Sequence, residues 1–150
     1  MSFRQGIRLG IDVGRARVGL ARSDPEGLLC VPIKTLVRSN ENFKELTELF
    51  LEYDAIEFVV GVPYSLDGTH TKSTEDSIEF AQELAKASGK PVRLVDERLS
   101  TVQAQSRLRD AGKDSKSARG VIDQVAATII LQNALETEQN TGQPPGSLSV

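Results

Sequence analysis

The chain has 150 residues, enough for one domain with a real core and hardly enough for two. Apolar residues make up 39% and the formal charge is −3, which fits a globular protein and excludes a disordered one. One cysteine, Cys30, excludes an internal disulfide and a thiolate zinc cage, and one histidine, His70, leaves Ser-His-Asp and His-rich metal chemistry unsupported. No run approaches the ~18 apolar residues of a membrane span. The opening Met1-Ser2-Phe3-Arg4-Gln5-Gly6 has no apolar secretory region, so the expected compartment is the cytoplasm, with no membrane contact.

In chain order, Arg8 to Val13 reads as a strand, Gly14-Arg15-Ala16 as a turn, and Arg17 to Arg22 as a second strand of alternating pattern. Asp24-Pro25-Glu26-Gly27 turns the chain again. Leu28 to Val37 is a third strand, with Pro32 marking an edge or a bulge. The period then changes. Asn40 is a candidate N-cap, and Phe43, Leu46, Leu49, Phe50 and Tyr53 recur at helical spacing. Ile56 to Val60 is the fourth strand, Pro63 to Thr71 a polar loop, and a helix runs on to Ser88, where Gly89-Lys90-Pro91 stops it. Val92 to Val95 is the fifth strand. Ser100-Thr101-Val102-Gln103 is a capping box opening a helix to about Gly112, and the last helix spans roughly 118–138. Residues 139–150 are polar and Pro/Gly-rich and read as a disordered tail after a single domain over 1–138. Helical crossovers make strands four and five parallel to a neighbour. The expected fold is α/β: a five-stranded mixed sheet flanked by helices on both faces.

Charge is segregated. Residues 1–23 hold five arginines and one acid, and 89–120 hold eight bases and four acids, whereas 41–57 and 67–83 are acidic. Two basic segments on an acidic protein point weakly to a local anionic partner.

Three acids stand out by position. Asp12 lies inside an apolar strand, with Gly10 and Gly14 at spacing two and Gly19 and Ala21 on the next strand, so a helix has room to approach it. A buried carboxylate there needs a cation, a metal or donor groups. Asp96-Glu97-Arg98 follows the C-terminal end of strand five, the edge where ligands of open α/β sheets sit. Asp123 interrupts the apolar face of the last helix, with Arg119 and Lys116 four and seven residues earlier on the same face. Acids brought together from these three places suit hard divalent cations, and metal-assisted phosphodiester hydrolysis becomes the leading chemistry.

Gly10-Ile11-Asp12-Val13-Gly14, Arg17-Val18-Gly19-Leu20-Ala21, Val60-Gly61 with Pro63, Asp67-Gly68-Thr69, Asp96-Glu97-Arg98-Leu99-Ser100-Thr101 and Asp123-Gln124 with Ala126-Ala127 resemble, in order, the blocks of the YqgF family, also called RuvX. The resemblance implies a ribonuclease H-like fold. It also implies a nuclease acting on the 5′ end of pre-16S rRNA or, alternatively, a Holliday junction resolvase acting on branched DNA. It maps a carboxylate triad onto Asp12, Glu97 and Asp123, which would hold Mg²⁺ or Mn²⁺, with Arg98, Lys116 and Arg119 on the phosphates. The implied partners are structured RNA or branched DNA and ribosomal particles, with the chain a monomer or homodimer. A non-catalytic ribosome-associated factor is the competing class, and three crowded acids beside a phosphate backbone argue against it. An actin-like ATPase, whose phosphate loop Asp12-Val13-Gly14 also resembles, would need two related domains.

Overall fold

The computed structural model describes residues 3–99 and 118–149. Strands β1 (Arg8–Val13), β2 (Arg17–Ser23) and β3 (Cys30–Val37) form an antiparallel meander, followed by α1 (Asn42–Glu52), β4 (Glu57–Val62), α2 (Lys72–Ser88) and β5 (Val92–Asp96). A 3₁₀ turn covers Glu97–Leu99, α3 spans Ala118–Thr141, and a short β6 (Ser147–Leu148) closes the order. The sheet runs β3-β2-β1-β4-β5-β6, with β4 parallel to both β1 and β5. The proposed helix beginning at Ser100 lies outside the described residues.

The pleat sorts β1 by parity. Leu9 and Ile11 join Val18, Leu20, Phe58 and Val60 under α1 (Leu46, Leu49, Phe50) and α2 (Phe80, Ala81, Leu84). On the other face, Ala21, Val59 and Val95 meet Ala127, Ile130, Leu131, Ala134 and Leu135 of α3. All six residues of β4 are buried, as expected of a central strand covered on both faces. Pro32 does sit on an edge strand at an irregularity: Leu20 pairs with Lys34 but Ala21 with Pro32, so the register shifts across Ile33. Asn40 is not the cap of α1. Asn42 takes that work from inside the first turn, accepting the Ser39 N–H and donating to the Val37 carbonyl, while Glu41 at the N-cap position makes no side-chain bond.

Helix α3 approaches the sheet over glycines. A Cβ on Gly10 would lie 2.9 Å from the Ala127 carbonyl oxygen, and one on Gly61 2.5 Å from Ile130 Cδ1. One on Gly19 would collide with the backbone carbonyl of Asp123. At Gly10 and Gly19 the obstructing atoms are backbone, which cannot swing aside as the Ile130 side chain over Gly61 can, so the helix keeps this separation only while those two positions stay bare.

Residues 139–149 are ordered, against the expectation of a free tail, and the sheet has six strands rather than five. Helix α3 continues to Thr141 and turns at Gly142, whose amide donates to the Glu138 carbonyl. Gly146, with φ +65°, passes so close to the Leu94 carbonyl that only glycine fits, and β6 then pairs antiparallel with β5. An edge strand is held by main-chain hydrogen bonds and needs no apolar pattern, which is why composition alone misread it.

The tail also completes a buried ionic cluster. Arg4 donates to both Glu57 and Glu138, Arg8 Nη2 to Glu138 at 2.9 Å, and Arg93 Nε to Glu57 at 3.0 Å. Arg93 Nη1 reaches the carbonyl of Pro145. Arg8, Glu57 and Glu138 are each at most 2% exposed. Burial alone would raise Glu57, yet the hydrogen bonds from Arg4 and Arg93 hold its carboxyl below the usual value. Removing residues 143–150 strips β6 and the Pro145 acceptor from Arg93. We expect a loss of about 2 kcal/mol, roughly 5 °C in Tm for a chain of this size, measured by thermal unfolding. An unchanged Tm would show that the tail contributes nothing to the fold.

Candidate active site

Asp12 is near the C-terminal end of β1, opposite Gly19 on β2 and one residue past the Ile11–Val60 pair that brings Gly61 of β4 alongside. These two flanking glycines receive the other two acids. Backbone and Cβ of Asp123 lie over Gly19, and Cγ of Glu97 would be 2.9 Å from a Cβ on Gly61. The three predicted acids are therefore neighbours on the α3 face of the sheet, delivered by β1, the turn after β5, and α3.

Their electrostatics follow from that crowding. Burial first, then the charges of Glu97 and Asp123, push the Asp12 carboxyl up to about 7. Glu97 is raised as well, by burial and by Asp96. Asp12 has no cationic side chain within ion-pair distance among the described residues. Asp123 does: Arg17 Nε donates to its Oδ2 at 2.8 Å. Arg17 was not anticipated as a site residue, although its parity gave a signal. It is two residues before Gly19 on β2 and so shares the face that α3 covers.

The basic residues expected on phosphates are placed differently. Arg98 is committed to Asp96, with Nε and Nη2 both on that carboxylate, and its guanidinium lies 5.3 Å from the Tyr64 ring centre. Its Nη1 also reaches toward the Ser65 and Leu66 carbonyls, so Arg98 ties the β4–α2 loop to the end of β5. Within that loop Asp67 accepts from Ser65 and Thr69, which holds its carboxyl down at about 2. Lys116 lies outside the described residues, and Arg119 falls in the first turn of α3, where only the backbone is described.

The donor set suits a hard divalent cation: oxygen donors only, mutually repelling, with the central acid lacking a protein cation. Among the described residues no group of three or more His, Cys, Asp or Glu side chains is placed so that it could hold a metal ion as it stands. The acids gather around Asp12 as neighbours, with one of them held by Arg17.

The raised Asp12 pKa makes a thermodynamic prediction. A carboxyl whose folded pKa lies above its unfolded value keeps its proton in the native state, so metal-free stability falls as pH rises from about 4 to about 7. Asp12→Asn removes that slope. In chelator, the variant should match wild type near pH 4 and exceed it above pH 7 by at most about 4 kcal/mol, read from urea unfolding. Parallel pH profiles for the two proteins would refute the raised pKa.

Known proteins share this architecture and sequence. The chain is 53% identical over 149 residues to a protein of Clavibacter michiganensis subsp. michiganensis named "Putative pre-16S rRNA nuclease", with 97% of this chain and 92% of the relative covered. A protein of the same name from Leifsonia xyli subsp. xyli is 50% identical over 146 residues, covering 96% and 94%. Among solved structures, Thermus thermophilus RuvC in complex with a Holliday junction substrate matches with a TM-score of 0.58 at 14% identity, over 93% of this chain and 99% of that one. The shared architecture is the ribonuclease H-like fold, here with a sixth strand. The family model described as "RuvX: Holliday junction resolvase" matches residues 6–137, and this chain belongs to the RuvX family.

Proposed function

We propose that this protein is a divalent-metal-dependent endonuclease that trims the 5′ end of pre-16S rRNA in the cytoplasm, on the RNA alone or within ribosomal particles. The observation that carries the reading is the placement of Asp12 between Glu97 and Asp123, three acids from separate elements on one face of a RuvC-type fold. Such crowding raises the energy of the metal-free protein and suits a site meant to hold cations against a polyanion.

In this reading Asp12 and Asp123 would hold Mg²⁺ or Mn²⁺, and Glu97 would complete the ligand set or orient the attacking water. Ions held there would supply an activated water and neutralise charge on the phosphodiester. Asp12 gives up its proton near neutral pH, so loading of the site strengthens as pH rises through about 7. Arg17 orients Asp123 and limits the repulsion it exerts on Asp12. The floor of glycines fixes how closely Asp123 approaches Asp12, and α3 excludes water from the face behind them.

Branched DNA is the second reading. It is favoured by the fold shared with a RuvC solved on a Holliday junction, and it requires two copies of the site to cut two strands. Among the described residues no helix is long and apolar enough to cross a membrane.

The deciding experiment is cleavage of matched pre-rRNA leader and four-way junction substrates in Mg²⁺, Mn²⁺ and chelator. We expect faster cutting of the leader, no cutting in chelator, and a loss of at least ~10³-fold in Asp12→Asn and Asp123→Asn. Mutant rates within ~10-fold of wild type would remove these acids from the catalytic set.

A further inference from the structure

We propose that a cationic groove formed by Arg15, Arg38 and Lys72 binds the phosphodiester backbone of the substrate a few nucleotides from the bond that is cut. The groove lies where the β1–β2 turn, the end of β3 and the start of α2 meet, and it is lined by these three residues with Ser73 and Asp76. The inference rests on the nuclease reading above and adds a path for the substrate.

The charge balance gives the groove its sign. Asp76 is its only acid, and Arg38 occupies both carboxylate oxygens, at 3.0 and 2.9 Å. Arg15 and Lys72 are exposed and make no ion pair among the described residues. Two cations thus face solvent on a protein whose formal charge is −3. Elsewhere the arginines of the first strands are already engaged: Arg4 and Arg8 in the buried cluster, Arg17 on Asp123, and Arg22 over the Tyr53 ring. With Arg98 held by Asp96, the residue first expected on the phosphates is also engaged.

The groove is rigidly built. Arg38 donates from its backbone amide to the Ala16 carbonyl and from Nη1 to the Gly14 carbonyl at 2.8 Å, which fixes the turn that carries Arg15. Lys72 begins α2 behind a reciprocal capping box of Thr71 and Thr74, and Thr74 Oγ1 also donates to the Pro63 carbonyl. The amides of the first helical turn have no intrahelical acceptor, so the partial positive charge of the helix end adds to that of Lys72.

Position relates the groove to the acids. Arg15 is three residues past Asp12, a backbone reach of at most about 10 Å, which spans a few nucleotides of a strand. The acids that face the groove from α2 give the path a direction. Glu79 and Glu83 act on Arg38 from farther along the helix, and Glu75 is paired with His70. A phosphate chain therefore leaves Lys72 over Arg15 and rounds the β1–β2 turn at the end of the sheet to reach the acids on the α3 face, rather than running along α2.

The test is binding of a pre-rRNA leader, followed by fluorescence anisotropy in chelator at salt from about 50 to 300 mM. Wild type is compared with Arg15→Gln, Lys72→Gln, the double variant, and Lys86→Gln at the far end of α2. Each groove substitution should lower the slope of log affinity against log salt by about 0.7–0.9, the double variant by about twice that, with Tm and the remote control unchanged. If wild type binds and cuts the leader while the double variant keeps the full slope, the groove is refuted and the nuclease reading stands. If wild type neither binds nor cuts any RNA or DNA, the nuclease reading fails and the groove falls with it.

Discussion

The approach of α3 to a floor of bare backbone sets the rest of the structure. Gly19 on β2 and Gly61 on β4 flank Asp12, with Gly10 two residues before it on β1, and each would meet α3 or Glu97 if it carried a side chain. A helix packed on ordinary side chains stands about 10 Å from a sheet; here the glycines let it sink toward the strands. That closeness sets Asp123 against Asp12, leaves both only partly exposed, and raises the free energy of their shared negative charge. Packing and function therefore meet in the same residues. The small side chains contribute little apolar burial, and the stabilisation of this face comes from Val59, Val95 and the leucines and isoleucines farther along α3.

The sheet was legible in the sequence because its strands carry strong period-2 or continuous apolar signals, and α2 because its apolar residues recur at helical spacing and Gly89 stops it, whereas the Thr71 cap shows only in the structure. Gly10 and Gly19 were legible too, since small residues beside a strand acid imply a close neighbour. Two things were not. The edge strand β6 is recognised by main-chain bonding to β5, which leaves no hydrophobic trace in Ser147-Leu148. The partners of the arginines were equally hidden. Charge runs reveal density, whereas the salt bridges join residues more than a hundred positions apart, as in Arg17–Asp123 and Arg8–Glu138. Regional charge suggested a basic N-terminal surface, yet most of that charge is folded inward or paired.

The molecule separates two kinds of electrostatics along the sheet. At one end, cations and anions are matched and buried, where each unpaired group would cost several kcal/mol. At the other, acids crowd together near Asp12, with Arg17 the one arginine paired to them among the described residues. The first arrangement favours a unique fold, and the second keeps a high-energy site that a cation can relieve. The polar ends of the sheet are thus not equivalent, even though the same strands run between them.

The buried cluster around Glu138 also acts as a ruler. Glu138 is fifteen residues from Asp123 on one uninterrupted helix, about 22 Å at 1.5 Å per residue. Three bonds from Arg4 and one from Arg8 fasten that end of the rod against the sheet. A slip of one residue would rotate the helix by about 100° and carry Asp123 off its glycine, so the far anchor calibrates the position of a carboxylate it never touches.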